Sequence, residues 1–359
     1  MKSIRIALIG CGQIALANHL PGLALCPESK ISALCDSNPA VLEKARGQIA
    51  VDHTSTNFEE IVSRDDIDAV IIATPNFTHA TIALAAIAAG KHVLCEKPLA
   101  MNLAEARQML EAAEKKDVRH MTAFTYRFVP AMRYMAHLAK TGAIGQPFHF
   151  RSCRLQDWGA RNLGWRQIKK ISGTGELGDM LSHRIDYAYL LVGKISRLVA
   201  DTRKFHETRG GKISELEDWI SILAEFENSA TGVLESSKIA SGHGEGGRSQ
   251  DYCEVNGSEG SLIFQLERPL ELQIGKRGGN GLKSIPVPEE FLKWPGSPRD
   301  SRAGDPLVTF RYDQDVEFVR AILEERPCVP SFAEGAQTQA VMDAAILSAQ
   351  EKRWVEVPK

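Results

Sequence analysis

The sequence predicts an α/β protein of two domains: a doubly wound parallel-sheet domain over residues 1–125, then an α+β domain with a mostly antiparallel sheet over residues 126–359. In the first part, short apolar runs alternate with helix-like segments, which is typical of a parallel sheet. A glycine-rich turn directly follows the first of these runs. Beyond Tyr126, short runs with a period of two are joined by hairpin-sized turns, which indicates antiparallel strands. A chain of 359 residues is long enough for two such cores.

The overall composition excludes several classes of partner. Apolar residues make up 43% of the chain and charged residues 25%, and the net charge is -2, so neither a nucleic acid nor an anionic membrane is expected as a partner. The chain shows no long apolar stretch for a membrane span and no signal peptide. The seven cysteines lack the spacing of a metal site. We therefore expect reduced, buried thiols in a cytoplasmic protein without a metal.

The first predicted strand, residues 4–9, runs directly into a dinucleotide-binding fingerprint, Gly-Cys-Gly-Gln-Ile-Ala over residues 10–15. Gly10 permits the tight turn and Gly12 lets the backbone approach a pyrophosphate. The following residues, Gln13 and Ile14, are expected to border the same phosphates at the start of a helix. Because the motif follows a strand and precedes a helix, it predicts a Rossmann domain.

The second strand, residues 30–35, ends in Asp36, where a carboxylate is expected to bind the adenosine ribose hydroxyls together with Ser37. An alternative is that Asp36 caps the helix that begins near Pro39, since Ser37 and Asn38 are also cap formers. Both roles can coexist. Because no arginine follows Asp36 to pair with a 2′-phosphate, the sequence favours NAD over NADP.

Two later strands end in polar residues at the same expected edge of the sheet. Residues 69–73 lead into Thr74, Pro75 and Asn76, with His79 one turn into the next helix. All four are candidate cofactor contacts, although His79 equally fits a role within its own helix turn.

Residues 92–95 form the other strand, which leads into Glu96 and Lys97, with Pro98 next and able to hold a cis peptide. Glu96 and Lys97 are candidate cofactor contacts. A lysine at the carboxyl end of such a strand points into the ligand crevice and suits proton transfer, whereas an isolated lysine here would be a surface residue.

The second domain is predicted from its alternating runs. The expected strands cover residues 148–156, 197–205, 218–226, 230–237, 251–255 and 261–266, with glycine-rich loops at 242–247 and 275–281. An extended loop is expected over residues 286–306. Two helices, over residues 314–325 and 333–352, are expected to close the chain.

One helix of this domain carries chemistry. Asp179, His183 and Asp186 have the spacing of one helical face and follow a glycine-rich run. Three interpretations remain: a structural carboxylate–histidine pair, a metal site, and a catalytic histidine oriented by a carboxylate. The metal site is the least favoured, because no third ligand has suitable spacing.

These motifs together resemble the Gfo/Idh/MocA family, which includes glucose-fructose oxidoreductase and inositol dehydrogenase. The resemblance covers essentially the whole chain and rests on the fingerprint, on TPNFTH and CEKP, and on the GxGxxxDxxxH run. It implies a large open sheet in the second domain, a nicotinamide cofactor and a sugar or cyclitol substrate. It also implies catalytic roles for Lys97, Asp179 and His183. The chain departs from the usual family pattern at Thr174 and at residues 180–182, which bears on pocket shape.

The substrate is expected to meet a polar and aromatic segment after the first strand of the second domain. Candidate substrate contacts are Tyr126, Arg127, Asp157, Trp158 and Arg161, besides Lys97, Asp179 and His183. For Trp158, burial beneath a loop is an equal alternative. In relatives, a Trp-Arg pair reaches the cofactor or substrate, which indicates Trp165 and Arg166. The segment looks like that of members acting on pyranosides or on anhydrosugars such as levoglucosan.

The predicted function is NAD-dependent oxidation of a secondary hydroxyl on a ring sugar, glycoside, anhydrosugar or cyclitol, or reduction of the corresponding ketone. We expect His183 to be the base and Lys97 to assist it. An NAD-dependent glycosidase and a non-catalytic NAD-sensing regulator are the alternatives. The resemblance and the uncovered sheet face also predict a homo-oligomer, a dimer or tetramer.

Overall fold

The computed structural model of the chain describes residues 3–245 and 249–359, so the end of the predicted glycine-rich loop at 242–247 lies outside the described residues. The chain divides into two compact units. The first unit comprises Met1–Thr125, Trp294–Asp300 and Arg311–Ala336, and the second comprises Tyr126–Lys293, Ser301–Phe310 and Gln337–Lys359. The prediction assigned every residue after Thr125 to the second domain, whereas the structure groups two later segments with the first.

The first unit contains a six-stranded parallel sheet, in the order β3-β2-β1-β4-β5-β6. Its strands are β1 Ile4–Ile9, β2 Ser29–Cys35, β3 His53–Ser55, β4 Ala69–Ile72, β5 His92–Cys95 and β6 His120–Thr122. The helices between them are α1 Leu20–Ala24, α2 Pro39–Arg46, α3 Phe58–Val62, α4 His79–Ala88 and α5 Leu103–Lys115. The short strand β3 was not predicted, because its His-Thr-Ser sequence has no apolar run.

The strand order reverses beside β1, which is where open α/β sheets bind ligands. Hydrogen bonds continue the pairing just past the strand ends, from Gly10 N–H to the Cys35 carbonyl (2.7 Å) and from Glu96 N–H to the Ile72 carbonyl (2.9 Å). Because the strands are parallel, the residues that follow them share one edge of the sheet. That edge therefore carries the turn after β1 together with three further residues, Asp36, Thr74 and Lys97, as the sequence predicted.

The second unit contains a nine-stranded sheet in the order β16-β15-β14-β13-β7-β12-β11-β8-β17. Its strands are β7 Pro147–Leu155, β8 Ile195–Arg203, β11 Trp219–Phe226, β12 Thr231–Ser237, β13 Gln250–Gly257, β14 Gly260–Gln265, β15 Glu271–Lys276, β16 Lys283–Pro286 and β17 Val355–Glu356. A separate hairpin pairs β9 Thr208–Arg209 with β10 Lys212–Ile213. Within the nine-stranded sheet only β7 and β12 pair in parallel, so the predicted large, mostly antiparallel sheet is confirmed.

Several strands of this sheet were missed. The glycine-rich loop predicted at 275–281 begins inside β15, and the strand β16 lies just before the predicted extended segment. β16 is the exposed edge strand and shows no apolar alternation, whereas β15 pairs on both sides and alternates only at Leu272 and Ile274. β17 has two residues and forms only by pairing with β8.

Helices cover one face of the second sheet. They are α6 Pro130–Lys140 and α8 Ser182–Leu191. The short α7 Lys169–Ser172 and a π-helical turn at Leu177–Leu181 precede α8. Later in the chain come α9 Pro306–Thr309, α10 Asp313–Leu323 in the first unit, and α11 Phe332–Glu351. Among the described residues, no helix is both long enough and apolar enough to cross a membrane.

Candidate active site

The fingerprint turn has the two glycine environments that dinucleotide binding requires. Gly10 has φ +90°, and a Cβ there would lie 2.5 Å from the Ala73 carbonyl oxygen, so a side chain is excluded. At Gly12, by contrast, a Cβ would meet no atom within 4 Å. The space over Gly12 is therefore open on the side where the backbone of Gln13 and Ile14 begins the helix. The helix becomes π-helical over Ala15–His19, where the sequence predicted a regular helix.

Asp36 is fixed by two backbone groups. Its Oδ2 accepts a hydrogen bond from Cys11 N–H and its Oδ1 accepts one from Asn38 N–H, both at 2.9 Å. The cap of α2 is Asn38, whose side chain accepts from Ala40 N–H, so Asp36 is not the capping residue. The carboxylate is held at the fingerprint turn beside the exposed Ser37. Its position fits the predicted ribose contact.

His79 connects the turns after β4 and β5. Its Nδ1 lies 2.9 Å from the Pro98 carbonyl oxygen and its Nε2 lies 3.0 Å from that of Thr74. Burial lowers the pKa of His79, so the ring is neutral at pH 7 and donates to only one of the two carbonyls. The ring holds the Thr74-Pro75-Asn76 turn and the Lys97-Pro98 turn together. The Thr78 hydroxyl also donates to the Thr74 hydroxyl oxygen at 2.7 Å.

Strand β5 is followed by Glu96 and then by Lys97, and the Lys97–Pro98 peptide bond is cis. Glu96 is engaged from two sides: its Oε2 accepts from Lys97 N–H at 3.2 Å, and its Oε1 lies 3.3 Å from Nε2 of His19. The contact with His19 was not predicted, because nothing in the local sequence connects the two residues.

In the second unit, His183 lies against Tyr126. The two rings meet edge to face, with centroids 4.6 Å apart and an interplanar angle of 86°. The Arg184 guanidinium lies 5.4 Å from the centre of the same Tyr126 ring. Tyr126 was predicted as a substrate contact; within its unit it is buried and supports the imidazole.

Asp179 lies in the π-helical turn that precedes α8. The π-helical turn is wider than an α-helical one, so the spacing that predicted one shared face for Asp179 and His183 does not apply across it. Nε of Arg166 lies 3.9 Å from Oδ1 of Asp179, and its guanidinium stacks over Trp165 at 4.4 Å. The predicted Trp165–Arg166 pair thus meets the predicted catalytic carboxylate.

Arg127 pairs with Asp186 deep in the second unit. Its Nε and Nη2 donate to the two carboxylate oxygens at 2.8 and 2.6 Å, and both side chains are buried. The pair holds the chain just after Tyr126 onto α8. Asp186 therefore belongs with Arg127, a partner that the helical spacing with His183 did not indicate.

The predicted substrate loop is held by groups that the sequence did not identify. Asp157 accepts from Gly242 N–H at 3.0 Å, and Arg161 pairs with Glu245 at 2.6 Å. The Trp158 ring is contacted by the Arg161 guanidinium at 4.8 Å and by the Lys238 ammonium at 5.6 Å. Since two cations already contact this ring, its stacking on a sugar stays a prediction.

Arg209 anchors the same loop from the β9–β10 hairpin. Its guanidinium donates to the carbonyl of Gly159 and to Asp218, and both ionic side chains are buried. No local motif predicted this contact, because Arg209 lies 50 residues from Gly159.

A buried carboxyl group also went unpredicted. Ser236 donates to Glu176 at 2.5 Å, and the Lys238 ammonium lies 3.5 Å from the other carboxyl oxygen. Burial first, and then the nearby charge of Asp179, raise the pKa of Glu176 to about 7, although Lys238 opposes them. The only sequence signal was the position of Glu176 inside the glycine-rich run.

In the part of the chain that the structure describes, no group of His, Cys, Asp and Glu side chains has a metal-binding arrangement. The seven cysteines are all buried and unpaired.

Comparison with known proteins places these features in a family. Residues 4–124 match the model of an oxidoreductase family with an NAD-binding Rossmann fold, and residues 132–263 match the GFO/IDH/MocA C-terminal domain. The levoglucosan dehydrogenase of Pseudarthrobacter phenanthrenivorans is 33% identical, with 100% of this chain and 99% of that protein covered. The chain belongs to the Gfo/Idh/MocA oxidoreductase family.

Two further comparisons bear on this Gfo/Idh/MocA member. The myo-inositol 2-dehydrogenase of Thermotoga maritima is 28% identical, with 99% of this chain and 98% of that protein covered. A solved structure of levoglucosan dehydrogenase in complex with NADH and levoglucosan has a TM-score of 0.90 and 32% identity, with 99% of this chain and 100% of that chain covered. The predicted family, fold class and NAD cofactor are confirmed.

The residues of the first unit fit NAD. The open space over Gly12, the glycine at the strained Gly10 position and the fixed Asp36 carboxylate are what a dinucleotide requires of this turn. NAD would lie along the edge where β1, β2, β4 and β5 end, with Thr74, Pro75, Asn76 and Lys97 beyond the fingerprint.

Proposed function

We propose that the chain is an NAD-dependent dehydrogenase that oxidises a secondary hydroxyl of a ring sugar, anhydrosugar or cyclitol, or reduces the corresponding ketone. One observation carries the proposal. In the second unit, His183 is held against Tyr126 and Arg166 meets Asp179. The first unit has the NAD fingerprint and Lys97. NAD, when bound, supplies the hydride acceptor, and the protein supplies binding, orientation and proton transfer.

The residues of the chain divide the proton chemistry between them. A secondary alcohol does not ionise near pH 7, so the hydroxyl needs a base as its hydrogen leaves. His183 takes this proton, because an imidazole titrates near neutrality and the Tyr126 ring edge fixes its orientation. Asp179 binds a neighbouring hydroxyl or orients His183. Lys97 is the assisting group, because a lysine ammonium can donate a hydrogen bond to a substrate oxygen and stabilise developing negative charge there.

The substrate class follows from the segment around Trp165. Substrate hydroxyls are bound by Asp179 and by the guanidinium of Arg166. Tyr126 and Arg127 support His183 on the side away from the substrate. Asp157, Trp158 and Arg161 form the outer part of the substrate site on the loop that Arg209 anchors. Because a relative with full-length similarity is a levoglucosan dehydrogenase, an anhydrosugar is the first substrate to test and an inositol the second.

Two alternatives predict different products. An NAD-dependent glycosidase would re-reduce its intermediate, so free sugar would form without net NADH. A non-catalytic NAD-sensing regulator would bind NAD and turn over nothing. The named relatives are dehydrogenases, so neither alternative gains support from them.

The proposal is tested by NAD and NADP reduction with levoglucosan, inositols, aldoses and glycosides, using wild-type protein and the variants His183→Ala and Lys97→Ala. Each variant is expected to lower kcat by about 10² to 10⁴-fold while NAD binding, followed by fluorescence, is retained. The double variant should lose less than the product of the two single losses, since both groups act on one proton transfer.

The matched controls are His149→Ala and Lys30→Ala, which remove a histidine and a lysine that contact neither predicted site. Both controls should keep wild-type kcat. Near-normal kcat for His183→Ala would show that another group is the base. If Lys97→Ala is normal as well, the active-site assignment is wrong. Equal kcat/KM with NADP would contradict the role assigned to Asp36.

A further inference from the structure

Three titratable side chains, Asp315, His19 and Glu96, contact one another in that order beside Lys97. Glu96 follows β5, His19 lies in the π-helical turn after the fingerprint, and Asp315 lies on α10. The His19 ring has one nitrogen 3.3 Å from Glu96 and the other 2.7 Å from Asp315. The side chains of His19 and Asp315 are fully buried and that of Glu96 is 14% exposed. The arrangement therefore joins three distant segments of the first unit.

A glycine in α1 leaves room for α10 to approach His19. Gly22 lies against Asp315, and a Cβ at that glycine would lie 2.3 Å from Oδ2 of the carboxylate. The absence of a side chain at Gly22 thus makes room for Asp315. Two further ion pairs fix α10 on either side, Asp313 with Arg299 at 2.8 Å and Glu317 with Arg326 at 2.6 Å. Asp315 is consequently held at one position relative to His19.

The protonation states of these three groups are coupled. Nδ1 of His19 is hydrogen-bonded to Asp315 at 2.7 Å and Nε2 lies 3.3 Å from Glu96, an arrangement that suits an imidazolium between two carboxyl groups. Burial alone would lower the pKa of His19, but Asp315 and then Glu96 raise it to about 10. Burial raises the pKa of Glu96, but His19 and then Lys97 outweigh it and lower the value. Burial raises the pKa of Asp315, and His19 opposes that shift. At neutral pH a positive His19 therefore lies between the negative Glu96 carboxylate and the Asp315 carboxyl group.

We infer that His19 and Asp315 are positioning residues for Lys97: they hold the Glu96 carboxylate in place and partly neutralise it, and so set how strongly it stabilises the Lys97 ammonium. The inference rests on the proposed role of Lys97 as a hydrogen-bond donor to the substrate oxygen. Glu96 is directly linked to Lys97, because its Oε2 accepts the Lys97 backbone N–H at 3.2 Å. Without the imidazolium, the full charge of Glu96 would act on the ammonium.

Other titratable groups of the first unit lie near Glu96, His19 and Asp315. Glu96 acts electrostatically on His79 and on the Cys95 thiol, and Asp315 acts on the Cys26 thiol. Burial lowers the pKa of His79 and raises the pKa of both thiols, so it favours the neutral form of all three groups. Asp313 and Glu317, on the same helix as Asp315, are neutralised by Arg299 and Arg326.

Two variants change the charge beside Lys97 in opposite directions. Glu96→Gln removes the negative charge, so the ammonium should lose its proton more readily. The double variant His19→Gln, Asp315→Asn replaces the fully buried pair by two amides of similar size, so neither of these two positions keeps a buried charge. In that variant Glu96 is no longer neutralised, so the ammonium should hold its proton more tightly.

The measurement is competitive acetylation of the full-length protein by acetic anhydride across pH, with the labelling of Lys97 followed by mass spectrometry. Lys30, which is exposed and pairs with Asp52, is the internal reference. We expect Glu96→Gln to weaken proton binding at Lys97 on the order of tenfold, and the double variant to strengthen it by about threefold. The basic limb of the kcat profile should move to lower pH in the first variant and to higher pH in the second.

A purely structural role predicts something else. It would lower Tm in both variants while leaving Lys97 labelling and the basic limb at their wild-type pH, and that outcome would overturn the inference. A triple variant that combines all three substitutions should titrate like Glu96→Gln, since nothing is left for the imidazolium to neutralise. If Lys97→Ala retains activity, the proposed function fails; if it loses activity but neither charge variant shifts the labelling, only the role of His19 and Asp315 fails.

Discussion

The two sheets of this protein bury different kinds of side chain. Every residue of β4 in the first unit is buried, and its Ala-Val-Ile-Ile sequence is apolar on both faces. In the second unit the strands alternate, and the helix-covered face of the sheet buries Arg154 and Asp251 under Arg184 of α8. The outward face leaves Leu223 49% exposed. The first sheet is thus apolar on both faces, whereas the covered face of the second buries an ion-pair network among apolar side chains such as Ile222 and Leu234.

The difference has an energetic consequence. A parallel sheet between two layers of helices depends on many small packing terms, and the loss of one methylene is tolerated. A buried network of two guanidiniums and one carboxylate depends on a single anion, because Arg154 and Arg184 both contact Asp251. The second unit should therefore be far more sensitive to one polar substitution than the first is to one apolar substitution.

Asp251→Ala is expected to have the largest effect. The substitution leaves Arg154 and Arg184 buried without their counter-ion, which should cost about 3–5 kcal/mol of unfolding free energy. Denaturant unfolding followed by tryptophan fluorescence measures it, because four of the five tryptophans lie in the second unit. Glu225→Ala, which breaks an exposed pair with Arg197, is the control and should cost no more than about 1 kcal/mol. Equal costs would show that the buried network is not needed.

Leu223→Lys tests the open face of the same sheet. We propose that a second copy of the chain covers this face, giving a dimer or a tetramer, since Leu223 pairs across the strands with Val199 and Val233 to form an apolar patch. A charge at its centre should weaken association by about 30-fold, equivalent to roughly 2 kcal/mol of lost apolar burial.

Light scattering across a dilution series measures the association. The control is Ile213→Lys, which places the same charge on an exposed residue of the hairpin outside this sheet. A wild-type protein that is monomeric at micromolar concentration would refute the proposed assembly, and so would a Leu223→Lys variant that associates as tightly as the wild type.

Ile71→Val is expected to have the smallest effect. It removes one methylene from the centre of β4, where Ile71 is fully buried, and should cost about 0.5–1.5 kcal/mol. Because most of the tryptophans lie in the second unit, this loss is best measured by hydrogen exchange of amides in β1 and β4. A loss as large as that of Asp251→Ala would remove the contrast between the two sheets.

The sequence predicted most of the first unit because its signals are local. Strand β5, the fingerprint turn and the edge on which Lys97 lies all follow from short apolar runs and the residues directly after them. The missed strands β15 and β16 lie at one end of the second sheet; β16 has no period-two pattern, and in β15 the pattern is limited to Leu272 and Ile274. The return of residues 311–336 to the first unit was also missed, since a helical pattern does not specify the layer on which a helix packs.

The candidate site shows the same division. The side chains predicted to react, Lys97, Asp179 and His183, were proposed from motifs, because each chemistry needs a given residue type at a given position. Their supporting partners were not: His19 meets Asp315 across 296 residues of sequence, and Arg209 reaches Gly159 across 50. Spacing along a strand or helix determines which side chains share a face. Which distant charge neutralises a buried group depends on how the elements pack, and only the tertiary structure decided that.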